Sequence, residues 1–74
     1  MIINVQKYIS HTYNIPVDLL KGKMSIKDKK QYNLYNLSII LSWLLHPTKA
    51  YGCKSLIARH HCCNKNRVFR LYKL

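Results

Sequence analysis

Apolar residues recur at helical intervals through most of this chain, and nowhere do they alternate with polar ones as a strand requires. Residues 2 to 13 put Ile2, Val5, Ile9 and Tyr13 on one stripe, with Gln6, Lys7 and Ser10 on other faces, which predicts an opening helix. Asn14-Ile15-Pro16 interrupts it, because the residue before a proline is pushed out of the α region. Val17 to Leu20 reads as an apolar anchor of at most one turn, ahead of a break at Lys21-Gly22-Lys23. Ser25, followed three residues later by Asp28, resembles a capping box with Asp in place of the usual Glu, so a longer helix is expected from near Ile26. That helix carries Leu34, Leu37, Leu41 and Leu44, and Ile40 and Trp43 widen the stripe to the broad face of a central core helix. Pro47 stops it, and Thr48 to Cys53 reads as a loop hinged at Gly52. Ser55 to His61 makes a short helix, and Asn64 is a good N-cap for another from Lys65 to about Lys73. The pattern predicts an all-α fold of four helices in one small domain spanning residues 1–74.

A chain of 74 residues buries roughly 63% of its unfolded surface, which supports one modest core and no deep substrate cleft beside it. Charge sharpens this picture. Thirteen Lys and Arg stand against two acids, Asp18 and Asp28, for a net charge of +11, and such a field draws polyanions. The 49% apolar content argues against a disordered basic tail. With so few carboxylates an enzyme is not expected. The longest apolar stretch, Leu37 to Leu45, falls well short of the roughly 20 residues that span a bilayer. The opening residues, MIINVQKYIS, lack the pattern of a secretory signal. Cys53, Cys62 and Cys63 form an odd set with two adjacent members, a poor disulfide framework that favours a reducing, cytoplasmic setting. Asn, Ile, Lys and Tyr are abundant, as an AT-rich bacterial, viral or phage genome would encode.

The segment from Lys54, KSLIARHHCCNKNRVFRLYK, has the spacing of a helix-turn-helix. Such a motif needs a small residue at its fifth place, where the helices pack closely, and branched apolar residues at the fourth, fifteenth and eighteenth. Ala58, Ile57, Val68 and Leu71 hold those places. The tight turn falls on Cys62, where glycine is usual, so its φ is expected to be positive. Arg59, Lys65, Asn66, Arg67 and Arg70 decorate the outward faces. The plainer alternative is a helical hairpin with a solvated basic face.

Three stretches together resemble the C-terminal DNA-binding domain of the bacterial replication initiator DnaA. They are VQKYISHTYNIPVDLL at 5–20, the basic run at 21–30, and SLIAR at 55–59 followed by a turn and a last helix. The resemblance implies a Trp-repressor-like helix-turn-helix fold and a duplex DNA partner. It covers nearly the whole chain at low identity. The family's turn and signature read roughly Gly-Gly-Arg-Asp-His-Thr-Thr, where this chain has Cys62 to Val68 (CCNKNRV), so the family's site specificity does not carry over. Nor does the length leave room for the helicase-loading ATPase module.

On DNA, a recognition helix presents its N-terminal side chains to base edges in the major groove. Arg67 is the first candidate for base reading, followed by Asn66 and Arg70, because Arg suits guanine and Asn suits adenine. Lys21, Lys23, Lys27, Lys29, Lys30, Lys54, Arg59 and Lys65 are candidates for phosphate contacts. His60, His61, Cys62 and Cys63 are metal-ligand types, but four contiguous side chains do not converge on a tetrahedral ion, so no metal is expected. The histidines read as a helix end, and the cysteines as turn or core residues. A Cys-His nucleophile would lack an orienting carboxylate. The tyrosines read as core or rim, not stacking platforms. The expectation is a small double-stranded DNA-binding protein in replication or transcription control, without cofactor, small-molecule substrate or membrane partner. Its rivals are a sequence-indifferent RNA- or DNA-binding protein of ribosomal or packaging type, and a cationic helix lying on membrane surfaces.

Overall fold

Asp28 decides where the longest helix starts. Its carboxylate accepts from the Gln31 backbone N–H at 2.8 Å, and the Gln31 side chain reaches back to the Lys27 N–H at 2.9 Å. The helix therefore opens at Lys29 and not near Ile26, and Ser25 sits exposed in the preceding loop. A carboxylate one residue before a Lys-Lys-Gln turn is the stronger cap. The structure is a computed structural model that describes residues 2–46 and 53–73, with backbone alone at 65, 69, 72 and 73. It contains α1 (Ile2–Tyr13), α2 (Val17–Leu20), α3 (Lys29–Leu45), α4 (Cys53–His60) and α5 (Lys65–Lys73). The described residues are thus all-α, with five helices where four and an anchor were expected. The anchor is a single helical turn. Cys53, expected in the loop, opens α4, while Pro47 and the Gly52 hinge lie outside the described residues. His46 ends α3 in extended backbone, φ −65° and ψ 130°, as a residue before proline must.

Three helices end alike. After α1, α2 and α4 the chain turns through one left-handed residue: Asn14 (φ 54°), Gly22 (φ 76°) and Cys62 (φ 52°). In each case the next N–H bonds back to a carbonyl five residues earlier: Ile15 to Ser10, Lys23 to Asp18, and Cys63 to Ala58. This is the Schellman arrangement, and it satisfies carbonyls that a helix end otherwise leaves open. Asparagine and glycine are the usual residues there. Cysteine is not.

The long α3 packs against all four other helices. Its two sides carry two clusters. Leu34 joins Val5, Ile9, Leu19 and Leu20 from α1 and α2, while Tyr35, Ile39 and Trp43 join Ile57, Ala58 and Val68 from α4 and α5. The expected stripe of α3 was rotated. Its buried face is Leu34, Tyr35, Ser38, Ile39, Ser42 and Trp43, while Leu37, Ile40 and Leu41 are half-buried and Leu44 is 60% exposed. The leucine spacing gave no sign of two fully buried serines, Ser38 and Ser42. Gln6, read as a polar-face residue, is also fully buried, whereas Tyr13 at the end of the same stripe is exposed. Among the other tyrosines Tyr35 is buried, and Tyr8 and Tyr32 are exposed.

Candidate nucleic-acid interface

The turn between α4 and α5 is held from below by a polar cluster. Gln6 of α1 donates its amide to the Leu20 carbonyl at 3.4 Å and to the His60 carbonyl at 2.9 Å, tying the ends of α2 and α4 together. The Tyr35 hydroxyl donates to the His61 carbonyl. The His61 ring, fully buried, lies 2.8 Å by Nδ1 from the Ile57 carbonyl and 2.7 Å by Nε2 from Ser38 Oγ. A carbonyl only accepts, so Nδ1 carries the proton and Nε2 accepts from the serine. Ser42 in turn donates to the Ser38 carbonyl at 2.7 Å. Burial holds the imidazole below its ordinary pKa; the Ile57 carbonyl opposes that shift and nearby His60 adds to it. Burial likewise pushes the Tyr35 hydroxyl and the Cys63 thiol up. The histidine pair does stand at a helix end, but one member is a buried structural residue. Cys62 is exposed in the turn, and Cys63 packs half-buried against the core.

The basic segment at 21–30 is brought against this turn. Gly22 lies so close to it that a Cβ there would stand 2.5 Å from the His61 carbonyl oxygen. Lys23, Lys27, Lys29 and Lys30 are exposed, and Lys21 is half-buried. On the other side of the turn, Asn64 caps α5 by accepting from the Asn66 N–H at 2.9 Å, which leaves the Asn66 side chain exposed beside exposed Arg70. Arg59 is exposed at the end of α4. Lys54, half-buried, has its ammonium 5.1 Å from the centre of the Trp43 ring, so its charge is set on the far part of α3. The Lys65 side chain lies outside the described residues.

Arg67 behaves differently from its neighbours. Its guanidinium folds back onto α3, donating to Asn36 Oδ1 at 2.8 Å and lying 5.0 and 5.4 Å from the centres of the Tyr32 and Tyr35 rings. Arg67 and Asn36 together hold the Tyr32 hydroxyl below its ordinary pKa. The Arg67 Nε is buried with no hydrogen-bond partner. Tyr32, Tyr35 and Asn36 fall on one face of α3 at spacings of three and four, and that grouping is the signal in the sequence that could have marked them as a receptor for a cation. Nothing in the sequence said which cation. Two grooves flank the arginine and share Tyr32, Cys63 and Arg67 as walls. Among the described residues no three His, Cys, Asp or Glu side chains come together as a metal would require, and no helix is long and apolar enough to cross a membrane. No protein-family model, no curated protein and no solved structure matches this chain.

Proposed function

We propose that the chain binds double-stranded DNA through a helix-turn-helix made of α4, the turn at Cys62 and α5. Lys23, Lys27, Lys29 and Lys30 then bind phosphates beside the groove that α5 enters. The observation that carries this reading is the contact between Gly22 and the α4–α5 turn, which sets the lysine-bearing segment next to the N-terminus of the last helix. Supporting it, Ala58 is buried where the two helices must approach, and Ile57 and Val68 are buried at the spacer positions. The left-handed Cys62 does the work of the usual glycine. Asn66 and Arg70 point outward and read base edges, while Lys65 and Arg59 lie near enough in sequence to add phosphate contacts. Arg67 ties α5 to α3 through Asn36 and the rings of Tyr32 and Tyr35. The role is site-specific binding in replication or transcription control, of the kind the DnaA-like resemblance implies.

Selection from random duplexes, followed by affinity measurement at two salt concentrations, tests it. Lys23→Ala should weaken binding to selected and scrambled sites alike and reduce the salt slope by about one unit. Arg70→Ala should cost about 1–3 kcal/mol on the selected site and much less on the scrambled one. If selection returns no consensus and both variants act equally on both sites, the protein is a sequence-indifferent nucleic-acid binder.

A further inference from the structure

The two grooves around Arg67 form one trench. Its walls are the loop carrying Met24 and Ile26 with the start of α3 on one side, and the α4–α5 turn with α5 on the other. The larger part, about 560 Å³, falls within the roughly 300–1,000 Å³ of sites that take small ligands. Its chemistry is divided. One end is apolar and aromatic: Met24, Ile26 and Tyr32 remain 44%, 36% and 43% exposed, although each has apolar surface that a core would bury. The other end is cationic, with Arg67 and Arg70, and no lining residue is an acid. Arg67 itself is half-buried, and on α3 it donates to a neutral amide, Asn36, rather than to a carboxylate. A guanidinium met by a neutral amide and two tyrosine rings, with no carboxylate beside it, suits an anion. An aromatic and apolar floor beside two arginines is complementary to one nucleotide: a flat base at one end and a phosphate at the other.

We propose that the trench takes one unpaired nucleotide of the bound DNA, its base against Tyr32, Met24 and Ile26 and its phosphate at Arg67. This rests on the duplex-binding reading above, because the trench lies between the two parts of that interface. Its consequence is a preference for DNA in which a base is already free, since an intact duplex must first lose stacking and pairing to fill the trench.

Three DNAs of one sequence test it by fluorescence anisotropy: an intact duplex, the same duplex with one unpaired 2-aminopurine, and the single strand. The protein should bind the duplex with the unpaired base about 5- to 150-fold more tightly than the intact one, the range that one stacked base contributes, with a change in 2-aminopurine emission. Tyr32→Ala should erase both the preference and the emission change; because Asn36 and Tyr35 still hold Arg67, intact-duplex affinity should stay within about twofold. Tyr32→Phe, which keeps the ring, should retain the preference. Circular dichroism of each variant confirms that it is folded. Equal affinity for the two duplexes overturns the trench proposal while leaving duplex binding standing. A preference that survives Tyr32→Ala with no emission change also overturns it, because bending at the unpaired site then accounts for the gain. Binding to none of the three DNAs overturns both readings.

Discussion

At Gly22 an added Cβ would meet the His61 carbonyl oxygen at 2.5 Å and the Cys62 Cβ at 2.8 Å, and its φ of 76° is one that side chains rarely adopt. Both penalties act together, and the obstacle is backbone that cannot swing away. Gly22→Ala should therefore destabilise the domain by more than about 1 kcal/mol. Cys62 has nearly the same backbone conformation, φ 52°, but already bears its Cβ. Cys62→Gly relieves that strain and adds unfolded-state entropy, so its net effect should lie between zero and about 1 kcal/mol of stabilisation. Urea denaturation of the two variants measures both. A clear loss of stability in Cys62→Gly would mean that the Cys62 side chain itself supports the turn. The positive φ at Cys62 was legible in the sequence, because the helix-turn-helix spacing put a glycine-like position there. The close approach of Gly22 was not legible, since its partner lies some forty residues away.

Among the elements, α3 separates pattern from packing most clearly. A row of leucines predicted one buried face, yet packing on two sides turned the helix so that Ser38 and Ser42 face inward and Leu44 faces out. Serine counts as polar in any periodicity, but a small side chain lets helices approach, and both serines bond to carbonyl or imidazole acceptors within the fold. Ile39 is 1% exposed in the middle of the larger cluster. Ile39→Ala should cost about 2–5 kcal/mol, while Leu44→Ala should stay within about 0.5 kcal/mol. Thermal or urea unfolding of the pair decides between the face described here and the leucine stripe. The ends of the elements were more legible than their faces: Asn64 caps α5 as expected, and the capping signal at Ser25–Asp28 was off by one turn because Asp28 itself is the cap.

For the whole molecule, the combination of a +11 charge and a buried neutral imidazole sets the response to pH. The unfolded chain takes up a proton on His61 near the ordinary pKa of about 6.5, whereas burial lowers that pKa in the fold. Between those two values the unfolded state binds more protons, so stability falls as the pH drops below about 6.5 and is lost through the folded-state pKa. Each added proton also increases the self-repulsion of a chain with almost no acids. Melting temperatures measured from pH 7.5 to 4.5 should fall on the acid side. His61→Gln should flatten that part of the curve, even though it lowers stability at neutral pH. An unchanged slope in the variant would assign the acid sensitivity to general charge repulsion.

The sequence by itself determined the helical class, the breaks at residues 14–16 and 21–23 and before Asn64, the apolar spacing of Ile57, Ala58, Val68 and Leu71, and the basic character of the 21–30 segment. These depend on hydrogen bonds and torsions settled within a turn or two of the residue concerned, or on composition alone. Tertiary structure alone decided which polar residues are buried and where the cations point. Gln6 is a surface residue by its neighbours in α1, and becomes a clamp because the His60 carbonyl, 54 residues on, needs a donor. Arg67 lies on the outward-facing pattern of α5, yet turns inward because Tyr32, Tyr35 and Asn36 offer two rings and an acceptor on α3. Burying a polar group is costly unless a partner meets it, and for Gln6 and Arg67 that partner comes from a distant part of the chain whose position no local pattern specifies.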